Sequence, residues 1–565
     1  MSKLLKSKLI IPCVLIGTLL FSCVSKDYDL VYQPNIDKTY FGYNAPIEND
    51  FYERKADFRT LSYFDNNNVS RSIDFYGDVV KSHAETRPYQ MDNVMSATLV
   101  SKNFYTEALT KVPSQKILVI PVDFTNYSAD KLLYSKEETR VLLQNVFFGH
   151  PRTTSWESVA SFFNKSSLGN LRISGEVAPW FTYQEPQELV ASWDSKHKSE
   201  QILLAALEWL ETNKLVNLKD YDQDRDGFID SIFLILANDS ALIKNTNPFW
   251  AFQNHYEFPS YDAFLIDNPR YLEELQDNDP LTNNLIIDKP WPSTYASASF
   301  SFLNLKTKKD LPDVRTIIHE VSHLFGLPDL YHVGGHHSPT GKGDMMDFNI
   351  GDHNAYSKML LDWIRPITVK QATTISLSPT TTSGDFILLA NNWNGTPYDE
   401  YLLLEFYAPN DLNSQASSEP LNYTSSNGIT STYQLPNTPG IKLSYIDSRL
   451  AYYVANDENY IHRSFSFVDF IGTTVIPTPH RIELYNNNSY RNGVPLMKIL
   501  DRSLGMNDRK APDYNFENNS LFVEGNTFNE VFSEFRFLDG SKCPFDFKIV
   551  KLSNTKVTIE FIVNE

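Results

Sequence analysis

Residues 319–329 read HEVSHLFGLPD. Histidines four apart lie on one side of a helix, and here a glutamate stands beside the first. Imidazoles at that spacing can reach one tetrahedral ion, and a catalytic zinc takes three protein donors and leaves a fourth position for water. His319 and His323 are therefore candidate zinc ligands, and Glu320 is the candidate general base for a metal-activated water. The third donor must come from the chain that follows. Gly326 permits a left-handed turn, which would bring Asp329 back beneath the ion, while His332, His336 and His337 stand close enough in sequence to compete for the place.

A second cluster suits a harder cation. DQDRDGFID sets Asp222, Asp224, Asp226 and Asp230 around Gly227, the head of a calcium-binding loop. Phe233 stands where an EF-hand needs a bidentate glutamate, so this is not an EF-hand sensor. Cys23 closes a third motif. MSKLLKSKLIIPCVLIGTLLFSC has a basic start and an apolar run too short for a comfortable membrane span, and LFSC resembles a bacterial lipoprotein box whose cysteine is lipidated. A plain signal peptide cut nearby is the alternative.

The elements that must position these residues follow from periodicity. Pro312 and Asp313 signal a helix start and Gly326 a stop, bracketing about 13 residues. Val314, Ile317, Ile318, Val321, Leu324 and Phe325 gather on one face, so the helix anchors by that stripe and presents both imidazoles from the other side. KILVIPVDF (116–124) and GFIDSIFLILA (227–237) read as buried strands. Ser155 is the expected N-cap of a helix through SWESVASFFNK, and Ile202, Ala205, Ala206, Trp209 and Leu210 form the stripe of another. Past Pro366, YLLLEFYA, GIKLSYIDS and TKVTIEFIV read as strands among polar turns.

At 565 residues with 42% hydrophobic content, the chain is long enough for two or three cored domains. Its net charge of -19 repels phosphate backbones, which excludes nucleic acid as an expected partner. Of 3 cysteines, Cys13 and Cys23 fall in the leader, so Cys543 alone remains and an internal disulfide is not expected.

Together, HEVSHLFGLPDLY, the methionine segment with GDHNAYSKMLLDWIRP, SSLGNLRISGEVAPWF, DQDRDGFIDSIFLILA and YLLLEF with GIKLSYIDSRL resemble the immune inhibitor A-like family of secreted bacterial metallopeptidases, over roughly residues 110–450. The resemblance implies a zinc-dependent endopeptidase with His319, His323 and Asp329 as ligands, Glu320 as base and a structural calcium in the acidic loop. Metzincins carry histidine where Asp329 stands, so the aspartate departs from their commonest pattern. In GKGDMMDFN, Met346 is the choice for a Met-turn floor beneath the ligands, with ordinary core packing as its alternative. Tyr356 and His353 are candidates for oxyanion help, although no spacing rule places them.

The expected fold is α+β: a metzincin-like catalytic domain with a mixed twisted sheet and an active-site helix, followed by a β-rich, sandwich-like C-terminal region. The expected division is a lipoprotein signal peptide (1–23), an accessory or pro-segment (24–112), the zinc peptidase domain (113–370) and the β-rich region (371–565). The expected protein is an exported, lipid-anchored monomer that cleaves protein or peptide substrates and meets the membrane only through its anchor. Rival readings are a degenerate surface adhesin and a zinc hydrolase of non-peptide amides. An intact Glu320 speaks against degeneracy.

Overall fold

A computed structural model describes residues 114–193, 198–223, 227–256, 266–269, 287–447, 497–505 and 515–564, with short interruptions that include Gly326, Pro328 and 332–338, and a few strand backbones elsewhere. The leader with Cys23, and His332, His336 and His337, lie outside the described residues. The fold is mixed α/β.

The first sheet is built on β1 (Ser114–Phe124), whose apolar run is buried on both faces. Parallel to it run β2 (Arg172–Val177), β3 (Phe181–Tyr183) and β4 (Ile232–Leu236). β5 (Phe252–His255) and β6 (Thr294–Ser299) complete the order β2-β1-β4-β6-β5, with β3 also on β1 and β5 antiparallel at the edge. The expected strand over 227–237 is split. Asp230 donates its N–H to Tyr221, leaving Phe228–Ile229 to pair with Trp291–Pro292 apart from β4.

The period-two alternation of β1 sorts its side chains between two cores. Ile117 and Val119 join α1 (Lys136–Phe148), α2 (Val159–Ser166) and the helix with the histidines. Leu118, Ile120 and Val122 meet α3 (Ser199–Thr212) on the other face. α3 buries Ile202, Leu203, Ala206, Leu207 and Leu210, a stripe rotated from the expected one, and leaves Ala205 and Trp209 only partly covered. The N-cap of α2 is Ser158, not Ser155. The Ser158 side chain accepts from the Ser161 N–H in a capping box and donates to the Gly149 carbonyl, while the backbone of Ser155 is tied to Pro312 and Gln415.

α4 (Arg315–Leu324), α5 (Met345–Phe348) and α6 (Ala355–Leu360) follow the first sheet. Beyond them, β7 (Ile367–Thr368), β9 (Phe386–Leu389), β10 (Glu400–Tyr407), β11 (Gly440–Asp447) and β12 (Met497–Ile499) form a five-stranded sheet in that order. β8 (Thr373–Leu377), β14 (Val557–Val563) and β13 (Phe545–Leu552) form a three-stranded sheet. Tyr401 and Leu403 of β10 face the core that holds α4, whereas Leu402, Leu404 and Phe406 share a second core with Phe547, Ile549 and Ile559. The five-stranded sheet is therefore a middle layer, and the core around α4 runs without a break across residue 370. Among the described residues no helix is long and apolar enough to cross a membrane, and Cys543 is a buried free thiol.

Candidate metal centre

α4 is shorter than the sequence suggests, but its polarity is as the spacing predicts. Asp313 accepts from the Arg315 N–H at 3.2 Å at its start, and Val314, Ile317, Ile318, Val321, Leu324 and Phe325 are all buried in one core. The helix packs on β5 and β6. Its other side is also largely covered: His319 is 5% and Glu320 6% exposed, and the Met345 carbonyl and Asp329 lie against the His319 ring.

The chain after α4 brings Asp329 back to the histidines. Asp329 Oδ1 lies 3.1 Å from His319 Nε2 and 3.2 Å from His323 Nε2, and the two Nε2 atoms are 3.2 Å apart. The outer nitrogens are fixed by backbone. His319 Nδ1 donates to the Met345 carbonyl at 2.9 Å and His323 Nδ1 to the Leu327 carbonyl at 2.7 Å. Each neutral imidazole is thereby left with its lone pair on Nε2, pointing into the triangle.

Three lone-pair donors at this separation repel unless a cation or a proton lies among them. Without a metal, a proton serves. Burial opposes charge on His319, but the hydrogen bond and charge of Asp329, aided by Glu320, hold its pKa up at about 9. Burial likewise opposes charge on Asp329, yet His323 and His319 hold its carboxyl far below the usual range. A tetrahedral zinc with bonds of about 2.0–2.1 Å sets its donors about 3.4 Å apart, so the triangle nearly fits one face of such a site. Two imidazoles and a carboxylate are also an acceptable zinc donor set, and among the described residues this is the one group of three with metal-binding geometry.

The methionines act through their backbone. Met345 supplies the carbonyl for His319, and the Met346 carbonyl accepts from Leu330, next to Asp329. Both side chains are fully buried. Asp344 caps α5 by accepting from the Met346 N–H and takes two further hydrogen bonds from Asn354; burial pushes its pKa up to about 6. Tyr331, which sequence reasoning passed over although it ends the quoted motif, stacks on the His319 ring at 6.4 Å and 19°. Its aromatic ring two residues past Asp329 was the available signal.

The proposed oxyanion residues do not fit that role. Tyr356 is fully buried in the core, and both ring nitrogens of His353 bond within it, to Ser166 and Ser322. Burial, with the charge of Lys358, keeps the His353 pKa well below the imidazole range.

In the acidic loop, Asp222 accepts from the Gly227 N–H at 3.2 Å and Asp230 from the Gln223 N–H at 2.9 Å, with Gly227 at φ +94° making the turn. Asp224 and Asp226 lie outside the described residues.

Comparison with known families gives one match, to the immune inhibitor A peptidase M6 catalytic domain over residues 104–230. The match supports a peptidase and agrees with the resemblance seen in the sequence. It includes the acidic loop and ends before α4. No curated protein matches the chain.

Proposed function

We propose that the chain is an exported zinc metalloendopeptidase with a metzincin-like catalytic unit, His319, His323 and Asp329 as ligands and Glu320 as general base. The observation that carries this reading is the convergence of three donor atoms within 3.2 Å of one another, with the outer nitrogen of each imidazole fixed by a backbone carbonyl. Bound zinc would supply Lewis acidity, bringing the pKa of a water towards neutrality and polarising a scissile carbonyl.

The chain's own groups do the rest. Glu320, one residue along the helix from a ligand, takes the proton of the attacking water and hands it to the leaving amide nitrogen. Burial at 6% exposure strengthens its charge interactions there. The acidic loop would hold a structural calcium through Asp222, Asp224, Asp226 and Asp230, in the place that disulfides take in other exported proteins. Cys23 would carry the lipid anchor, and the sheets after residue 370 would form the sandwich-like region.

The test is cleavage of a denatured protein substrate with and without a chelator, beside Glu320→Gln. We expect chelator-sensitive cleavage in the native chain and a loss of at least about 100-fold in kcat in the variant, with zinc still bound. Cleavage that survives both chelation and the substitution would sink the assignment.

A further inference from the structure

A chain of polar side chains crosses the core beneath α4. Ser322, one residue before the second histidine, has its hydroxyl 3.0 Å from His353 Nε2. His353 Nδ1 lies 2.9 Å from Ser166 Oγ at the end of α2, and Ser166 Oγ lies 2.6 Å from Asp352 Oδ1. The other Asp352 oxygen meets Lys358 Nζ of α6 at 2.5 Å. Every member is buried, and the rings of Phe162, Phe163 and Trp363 surround the imidazole.

Counting protons fixes the direction of the chain. Burial raises the Asp352 pKa and the Lys358 ammonium opposes that; the carboxylate accepts from Lys358 Nζ, from the backbone N–H of His353 at 2.8 Å and from Ser166, so the one proton of the Ser166 hydroxyl is spent on it. Ser166 Oγ must then accept from His353 Nδ1–H. The bare Nε2 accepts from the Ser322 hydroxyl, which it shares with the Ile318 carbonyl at 2.8 Å. The ion pair thus polarises a line of hydrogen bonds that ends on the helix between the two histidines.

Apolar packing holds α4 in place but is non-directional. Rotating a helix by about 10° carries an imidazole nitrogen roughly 1 Å sideways, a displacement that can cost about 100-fold in rate. We propose that His353 is a positioning residue: through Ser322 it sets the rotation of α4, and so the aim of both imidazoles, by reference to the buried Asp352–Lys358 pair. The proposal rests on the zinc reading of the site.

The test uses the full chain loaded with cobalt(II), whose visible bands report ligand geometry, together with steady-state kinetics. For folded Ser322→Ala and His353→Gln we expect shifted bands and kcat lowered about 10- to 100-fold with KM little changed, the scale on which groups behind metal ligands act. The double variant should be no worse than the poorer single one, and Ser322→Thr, which keeps the hydroxyl, should restore the native bands. Native bands and kcat in Ser322→Ala would overturn the proposal whatever happens to the melting temperature, and they decide the matter if His353→Gln does not fold. A native chain that takes up neither cobalt nor zinc defeats the zinc reading and the proposal together; metal uptake with unchanged variants defeats the positioning role alone.

Discussion

At the residue scale the metal-free site is a proton trap. His319, raised from an ordinary 6.5 to about 9, stabilises the metal-free fold fully below pH 6.5, and that contribution is lost as pH rises through about 9. Asp329, depressed, contributes above the ordinary carboxylate pKa and would lose its share only in strong acid. The metal-free chain should therefore melt at a lower temperature at pH 9.5 than at pH 7, with the His319 imidazole titrating near 9 by nitrogen NMR, while zinc should abolish that titration. An imidazole that titrates near 6.5 would show that the triangle is looser than its distances say. The residue types at 319, 320, 323 and 329 were legible because their chemistry is local: four positions within one helix and the turn after it. The partners of His353 were not. Ser166 is 187 positions away and Ser322 31, and no spacing rule joins residues that only the packing of α2 against α4 brings together.

At the scale of elements, both faces of α4 were readable in sequence, but what packs against the histidine face was not. The 3.6-residue period picked out the six apolar side chains that bury themselves. It could not foresee the contacts that bury His319, because the chain around Asp329 to Tyr331 and the short α5 carry no periodicity of their own. The start of α2 was missed for a related reason. SWES offers several capping oxygens, and only the tertiary bond from Ser158 to Gly149 chooses among them. The readable face yields a prediction that separates anchoring from ligation. Ile317 is 1% exposed and holds no ligand, so Ile317→Ala should lower unfolding stability by about 2–5 kcal/mol. The folded fraction should still bind zinc one to one, as titration against a chromogenic chelator would reveal. An unchanged denaturation midpoint would contradict the burial argument.

At the scale of the whole molecule, the strands after residue 370 hold up the metal centre from behind. One face of β10 sends Tyr401 and Leu403 into the core that contains Ile317 and Met346, and the other sends Leu402, Leu404 and Phe406 against the three-stranded sheet. Three of these strands, β10, β11 and β14, were visible in sequence as apolar and aromatic runs; the shorter β7, β9 and β12 and the strands β8 and β13 were not. Nor was their partnership with α4 visible, since alternation tells which residues share a face and not what the face meets. Deleting residues 541–565 removes β13 and β14, strips β8 of its neighbour and uncovers Ile387, Leu389, Leu402, Leu404, Phe406, Ile441 and Leu443 in part. Each such side chain contributes about 1.5–3 kcal/mol when fully buried, against a total stability of roughly 5–15 kcal/mol, so even partial exposure exceeds what the fold can lose. The truncated chain should aggregate on expression and yield no chelator-sensitive peptidase, although every candidate ligand remains in it. A soluble truncated monomer with native melting and activity would mean that the middle layer stands without its outer sheet, and that the support of the site ends at β10.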